Sequence, residues 1–288
     1  MQNMVILALI IISMGLFNKL YSQFNSEEPM TNQQPISLHQ EKWDFYFTNV
    51  DDKLGSIFVD LGIKSVAPMS DKQNLVWVII KMNNPRNDGL SSLEESELLI
   101  EIEDSLVDQI TSNHNSIYVG RLTSAGNRYL YFYFGDTILY DKTISEVMIS
   151  FPDYQFDYGT NEDENWNNYF DFLFPSPKQY RCMQNQHVIE YLEKSGDKLT
   201  KPREVFHRIY FKSVDDRELF LENIKNDNFS IVDADYDNSW GEFSYSLQIK
   251  RVDKVDQESV DEIVLYLWNL ANVLNAVYDG WETSIEID

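Results

Sequence analysis

One cysteine, Cys182, is all the thiol chemistry this chain of 288 residues has. No intramolecular disulfide can form, and no cysteine-rich zinc site can be built. Positive charge is scarce too: 23 Lys and Arg stand against 47 Asp and Glu, a formal charge of −24. The deficit is spread evenly, with nine basic and twenty-one acidic side chains over Glu41–Asp163 and thirteen and twenty-four over Glu164–Asp288. Such a surface repels a polyanion at long range, so nucleic acid is disfavoured as a partner and a basic protein segment is the complementary one. Catalytic signatures are missing as well. There is no Gly-x-Ser-x-Gly, no phosphate-cradling glycine loop, and no His or Asn pattern to accompany Cys182 as a nucleophile. His39, His114 and His187 have no ligand-like spacing. Asp233-Ala234-Asp235-Tyr236-Asp237 opens like a calcium loop, but Asn238 stands where the tight turn takes glycine and Ser244 where a bidentate glutamate belongs. These absences predict a non-enzymatic protein with no metal and no cofactor.

What is present is ample apolar and aromatic content, 43% and 14%, enough for two packed cores. The chain starts with an uncharged apolar run, Met4–Phe17, of the length of a signal-peptide core, with a candidate cleavage after Ser22. Lys19 follows the run and no basic residue precedes it, which is the weaker arrangement for export. Residues 1–39 are therefore expected to be a signal-like or anchor segment and linker, the only route to a membrane. If the run is not a signal, the protein is cytoplasmic.

Residues 40–164 read as an α+β domain. Trp43, Phe45 and Phe47 alternate with Asp44, Tyr46 and Thr48, and Asp51-Asp52-Lys53 turns the strand back through Ile57-Phe58-Val59. Leu75–Met82 is apolar almost throughout, as for a strand covered on both faces. Ser91 with Glu94 predicts a capping box, and Leu98, Ile102, Leu106 and Ile110 a buried helical stripe with its glutamates in water. A second hairpin turns at Ser124-Ala125-Gly126-Asn127 into Tyr129–Phe134. Its alternation puts Leu130, Phe132 and Phe134 on the core and Tyr129, Tyr131 and Tyr133 on a face that packs between domains or meets a partner. A short helix around Thr143–Ser150 and a strand Tyr154–Tyr158 follow, and Gly159–Asn165 is a polar break that places the boundary near Asn165.

Residues 165–288 begin with a helix ending at Gly196. From Glu204 on the order is strand, helix, strand, strand, helix, strand, with Ser213 and Asp256 as helix N-caps; that is the ferredoxin-like pattern. The whole chain is thus expected to hold two α/β-sandwich domains, mainly antiparallel sheets with helices on one face. Tyr278-Asp279-Gly280-Trp281, eight residues from the end, is too apolar for a frayed tail, so the final segment is expected to pair beside the first strand of this domain, in the middle of the sheet, with Gly280 allowing a bend or a close approach and Trp281 in the core. His207, alternating with Val205, Ile209 and Phe211, reads as a hydrogen-bonded core histidine.

The stretches "KPREVFHRIYF", "DDRELFLENI", "FSYSLQIKRVD" and "LWNLANVLNAVYDGWET" resemble the family called regulator of ribonuclease E activity B. That resemblance implies a ferredoxin-like fold and inhibition of a ribonuclease by protein–protein contact. The first domain, through "WDFYFTNVDDKLGSIFVDLG", "PRNDGLSSLEESELLIEIED" and "YVGRLTSAGNRYLYFY", is similar to a bacterial family of unknown function, number 695, often fused ahead of such a regulator. The functional expectation is an acidic binding protein. Asp233, Asp235, Asp237 and Asp279 would supply the negative patch, and Trp240 and Tyr278 the contacts, for a basic segment. The alternatives are an exported or tethered protein reusing the fold, and an uncharacterised enzyme.

Overall fold

The computed structural model describes residues 39–287, so the apolar run and its cleavage site lie outside the described residues. The chain divides into two compact units at Ser176 and Pro177, not near Asn165. No helix among the described residues is long and apolar enough to cross a membrane.

In the N-terminal unit, β1 (Trp43–Val50) and β2 (Lys53–Asp60) form the first hairpin. Its turn residues Asp51 and Asp52 are both left-handed, at φ 49° and 60°, the conformation that matches strand twist in a two-residue turn. Then come β3 (Asn74–Lys81), α1 (Leu93–Asn113), β4 (Ser116–Ser124), β5 (Asn127–Phe134), α2 (Tyr140–Met148) and β6 (Phe156–Glu162). All pairings are antiparallel, in the order β1-β2-β4-β5-β3-β6. Strand β6 uses residues expected to be a break: Gly159 lies opposite Trp77, where a Cβ would come within 2.2 Å of the indole Cζ2.

Helix α1 starts one residue later than expected. Ser92 is its N-cap and Leu99, not Leu98, joins Ile102, Leu106 and Ile110 on the buried stripe, with Leu98 39% exposed. The reason is Glu95, whose carboxylate turns inward to accept the N–H groups of Asn83 at 2.6 Å and Asn84 at 2.9 Å. The preceding loop is held by Gly89, at φ 86°, whose carbonyl accepts Gly126 N–H of the second hairpin's turn at 2.9 Å. Nor do all the glutamates of α1 face water. Glu103 is 4% exposed and accepts from Arg121 at 2.6 Å, Arg128 at 3.1 Å and the Tyr118 hydroxyl at 2.9 Å.

Leu130, Phe132 and Phe134 do face the helices, in a core with Val76, Val78, Ile80 and the α1 stripe. The tyrosine face is filled from within the same unit rather than left for a partner. Trp166 stacks on Tyr133 at 3.9 Å and 3°, Phe172 meets Tyr131 edge-on, and the Tyr46 hydroxyl donates to Leu173 O. Residues 166–174, with a π-helical turn at Asn168–Leu173, thus cover this second face, which is why the boundary falls after them.

The C-terminal unit runs α3 (Pro177–Lys194), β7 (Arg203–Phe211), α4 (Val214–Ile224), β8 (Ser230–Asp233), β9 (Tyr245–Asp253), α5 (Gln257–Val273) and β10 (Val277–Thr283). Its antiparallel sheet has the order β10-β7-β9-β8, the ferredoxin-like arrangement. Ser213 and Asp256 cap α4 and α5 as expected, each accepting an N–H three residues on. One apolar core lies between the sheet and its helices, joining Val205, Ile209, Phe211, Leu247 and Ile249 to Phe220, Ile263 and Leu267. Strand β10 pairs with β7, as expected, but at the edge of the sheet and not in its middle. The register shifts between Tyr278 and Gly280, a bulge centred on Asp279. A Cβ at Gly280 would meet nothing within 4 Å, so no close approach requires this glycine.

Candidate functional site

The Tyr278–Trp281 stretch is structural. Tyr278 is 1% exposed, so it presents no ring to a partner, contrary to expectation. Strand alternation turns it toward the helices, where its hydroxyl lies 2.8 Å from His207 Nδ1 and its carbonyl accepts from Arg181 at 2.9 Å. His207 is the buried, hydrogen-bonded core histidine expected; burial, then the charge of Arg251, pushes its pKa down to about 3, so it is neutral at physiological pH. Trp281 packs against the same core from a half-buried position, with Nε1 donating to Asn185 Oδ1 at 2.8 Å. Asp279 does not join a surface patch. Its Oδ1 is buried without a hydrogen-bond partner, and burial pushes the carboxyl up to about 6 against the attraction of Arg208 and Arg181.

The remaining aspartates do come together, along the free edge of the sheet. Among the described residues strand β8 pairs with β9 on one side only. Asp233 and Asp235 are exposed and Asp237 is half-exposed. None of the three carboxylates makes an ion pair among the described residues. Asp237 caps a short 3-10 turn, Asn238–Trp240, and the Ser239 hydroxyl and N–H hold its carboxyl below the usual range. Trp240 ends that turn; its side chain lies outside the described residues. Interleaved with the acids are three apolar side chains that the sequence reading assigned no role: Ile231 at 57%, Val232 at 43% and Tyr236 at 55% exposure. They stay exposed because the edge strand is too short and too bulged to bury them. The edge combines negative charge with exposed apolar surface.

Burial, then the charge of Asp261, pushes the Cys182 thiol up to about 11, leaving almost no thiolate at neutral pH. Among the described residues no three His, Cys, Asp or Glu side chains converge as metal ligands would.

The C-terminal domain is thus a ferredoxin-like sheet with an acidic edge strand, preceded by a separate α+β domain. Residues 183–283 match the family described as regulator of ribonuclease activity B, and residues 41–174 match the family of unknown function DUF695. The chain therefore joins a DUF695 domain to a C-terminal domain of the ribonuclease-regulator family. No curated protein matches it. Among solved structures, an unknown protein from Galdieria sulphuraria is 10% identical over 75% of this chain and 99% of that one, with a TM-score of 0.20. A partial Cas6-RT-Cas1–Cas2 complex is 11% identical over 67% of this chain and 42% of that one, at 0.19.

Proposed function

We propose that the C-terminal domain is a non-catalytic regulator that lowers the activity of a ribonuclease by docking a basic segment of it on the β8 edge. The family match of residues 183–283 supports the class of target. The observation that carries the docking site is the row Asp233, Asp235 and Asp237, unpaired among the described residues, beside exposed Ile231, Val232 and Tyr236. Charge would set encounter rate and partner choice, and the apolar side chains would hold the complex. Asp279 and Tyr278 are left out of the contact because their polar atoms point inward.

The test is RNA cleavage by the purified ribonuclease of the same organism, with and without the full chain. Inhibition should weaken as salt rises from 50 to 300 mM, and D233N/D235N/D237N should relieve it by about tenfold in the concentration needed, the sum of three exposed pairs at about 0.5 kcal/mol each. Equal inhibition by the triple variant would remove the edge from the interface.

A second reading places the same module outside the cytoplasm, favoured by the apolar run Met4–Phe17. N-terminal sequencing of the protein from fractionated cells separates the two, since a chain beginning at Gln23 in an exported fraction excludes a cytoplasmic ribonuclease.

A further inference from the structure

A groove of about 1050 Å³ runs between α1 and α2 of the N-terminal domain. Its apolar part is Val147 and Phe151, which lean on the domain core, with Ile138 and Leu139 at the start of α2. Ile138 is 71% and Leu139 59% exposed. Leu139 stands at φ 59° as the N-cap residue of α2, a left-handed conformation that costs a leucine free energy. Neither side chain contributes to the core beneath, so core packing does not account for two large aliphatic residues in succession there.

Charge decides what fits. The carboxylates of Glu101, Asp108, Asp136 and Glu146 line the groove, against one basic side chain, Lys142, which sits 3.6 Å from Glu146. An acidic or neutral apolar segment would gather more negative charge or leave these carboxylates uncompensated as they lose water. A bare polycation would leave Ile138 and Leu139 uncovered. We propose that this groove docks a cationic amphipathic protein segment, its apolar side chains over Ile138, Leu139 and Phe151 and its Lys or Arg side chains against the carboxylates. The site is separate from the β8 edge and gives the DUF695 domain a binding role of its own.

The test uses the full chain and a fluorescein-labelled amphipathic Lys/Leu peptide about four helical turns long. Its scrambled isomer of equal charge and a Glu/Leu counterpart serve as comparisons. Fluorescence anisotropy should show saturable binding of the Lys/Leu peptide, about tenfold weaker binding of the isomer, and none of the Glu/Leu peptide. I138S/L139S and D108N/D136N should each weaken the Lys/Leu peptide about tenfold while leaving the melting temperature unchanged, since these side chains lie on the surface. In a D233N/D235N/D237N background, which neutralises the regulator edge, the peptide should still bind saturably and the two groove variants should still each weaken it about tenfold, which separates this site from that edge whatever becomes of the ribonuclease assay. Equal binding of the two isomers, no loss in either groove variant, or disappearance of saturable binding in the D233N/D235N/D237N background would each overturn the proposal.

Discussion

Asp197 holds Glu286: its Oδ2 accepts the Glu286 backbone N–H at 2.9 Å, while its other oxygen takes Arg203 Nη2 at 2.9 Å. Arg203 Nη1 in turn donates to Ser284 O at 2.9 Å, so one buried pair pins the end of the chain that follows β10. An edge strand without such a clamp would fray. D197N should cost about 3–5 kcal/mol, because it strands a buried guanidinium. Although burial opposes it, the bonds from Arg203, Glu286 and Leu199 hold the Asp197 carboxyl below its ordinary value. Its contribution is therefore present above about pH 4, the unfolded value, and is lost as pH falls through the lower folded value. Urea unfolding of wild type and D197N from pH 7 to 2 should show the gap closing only at the acid end.

Tyr278 and His207 share a buried side-chain hydrogen bond between β10 and β7, at 2.8 Å. Y278F keeps the ring and leaves His207 Nδ1 without that partner, at an expected cost of about 1–3 kcal/mol. Thermal unfolding checks it. A loss below half a kcal/mol would mean that the pair contributes nothing beyond packing.

Asp279 should behave in the opposite sense to Asp197. Its folded pKa of about 6 lies above the unfolded value, so the protonated form is favoured by folding and stability from this group is lost as pH rises through about 6. D279N should be more stable than wild type at pH 7.5, and the difference should shrink toward zero between pH 6 and 4. A difference that does not change across that range would show the carboxyl to titrate normally.

Gly159 under Trp77 predicts an overpacking penalty. G159A drives a methyl into the indole, so Trp77 must move, at a cost of about 1–3 kcal/mol. Tryptophan fluorescence should shift with it; an unshifted spectrum and unchanged stability would show that the strand edge gives way instead.

Hairpins and helix caps were legible because their causes are local. Asp51-Asp52 and Ala125-Gly126 turn the chain with left-handed residues, and Ser213 and Asp256 cap helices through bonds that span three positions. The start of α1 was misplaced by one residue because Glu95 answers to Asn83 and Asn84, a contact no periodicity records. The polar stretch Gly159–Glu162 looked like a break because an edge strand has little to bury, and only Trp77 reveals why a glycine stands there. Of the six residues expected to form the site, the three aspartates of the β8 edge were readable as exposed acids. Tyr278 and Asp279 were not readable as interior groups, since a bulge decides which way each points.

The sequence by itself determined the two-domain plan, the antiparallel ferredoxin-like order and the negative charge, because side-chain periodicity, turn chemistry and composition act over a few residues or over the whole chain at once. Only the tertiary structure decided that residues 166–174 seal the tyrosine face, that the last strand lies at an edge under the Asp197–Arg203 clamp, and that Ile231, Val232 and Tyr236 are left in water beside their aspartates. Those outcomes depend on which surfaces meet across distant segments, and burial is a property of that meeting rather than of the residue.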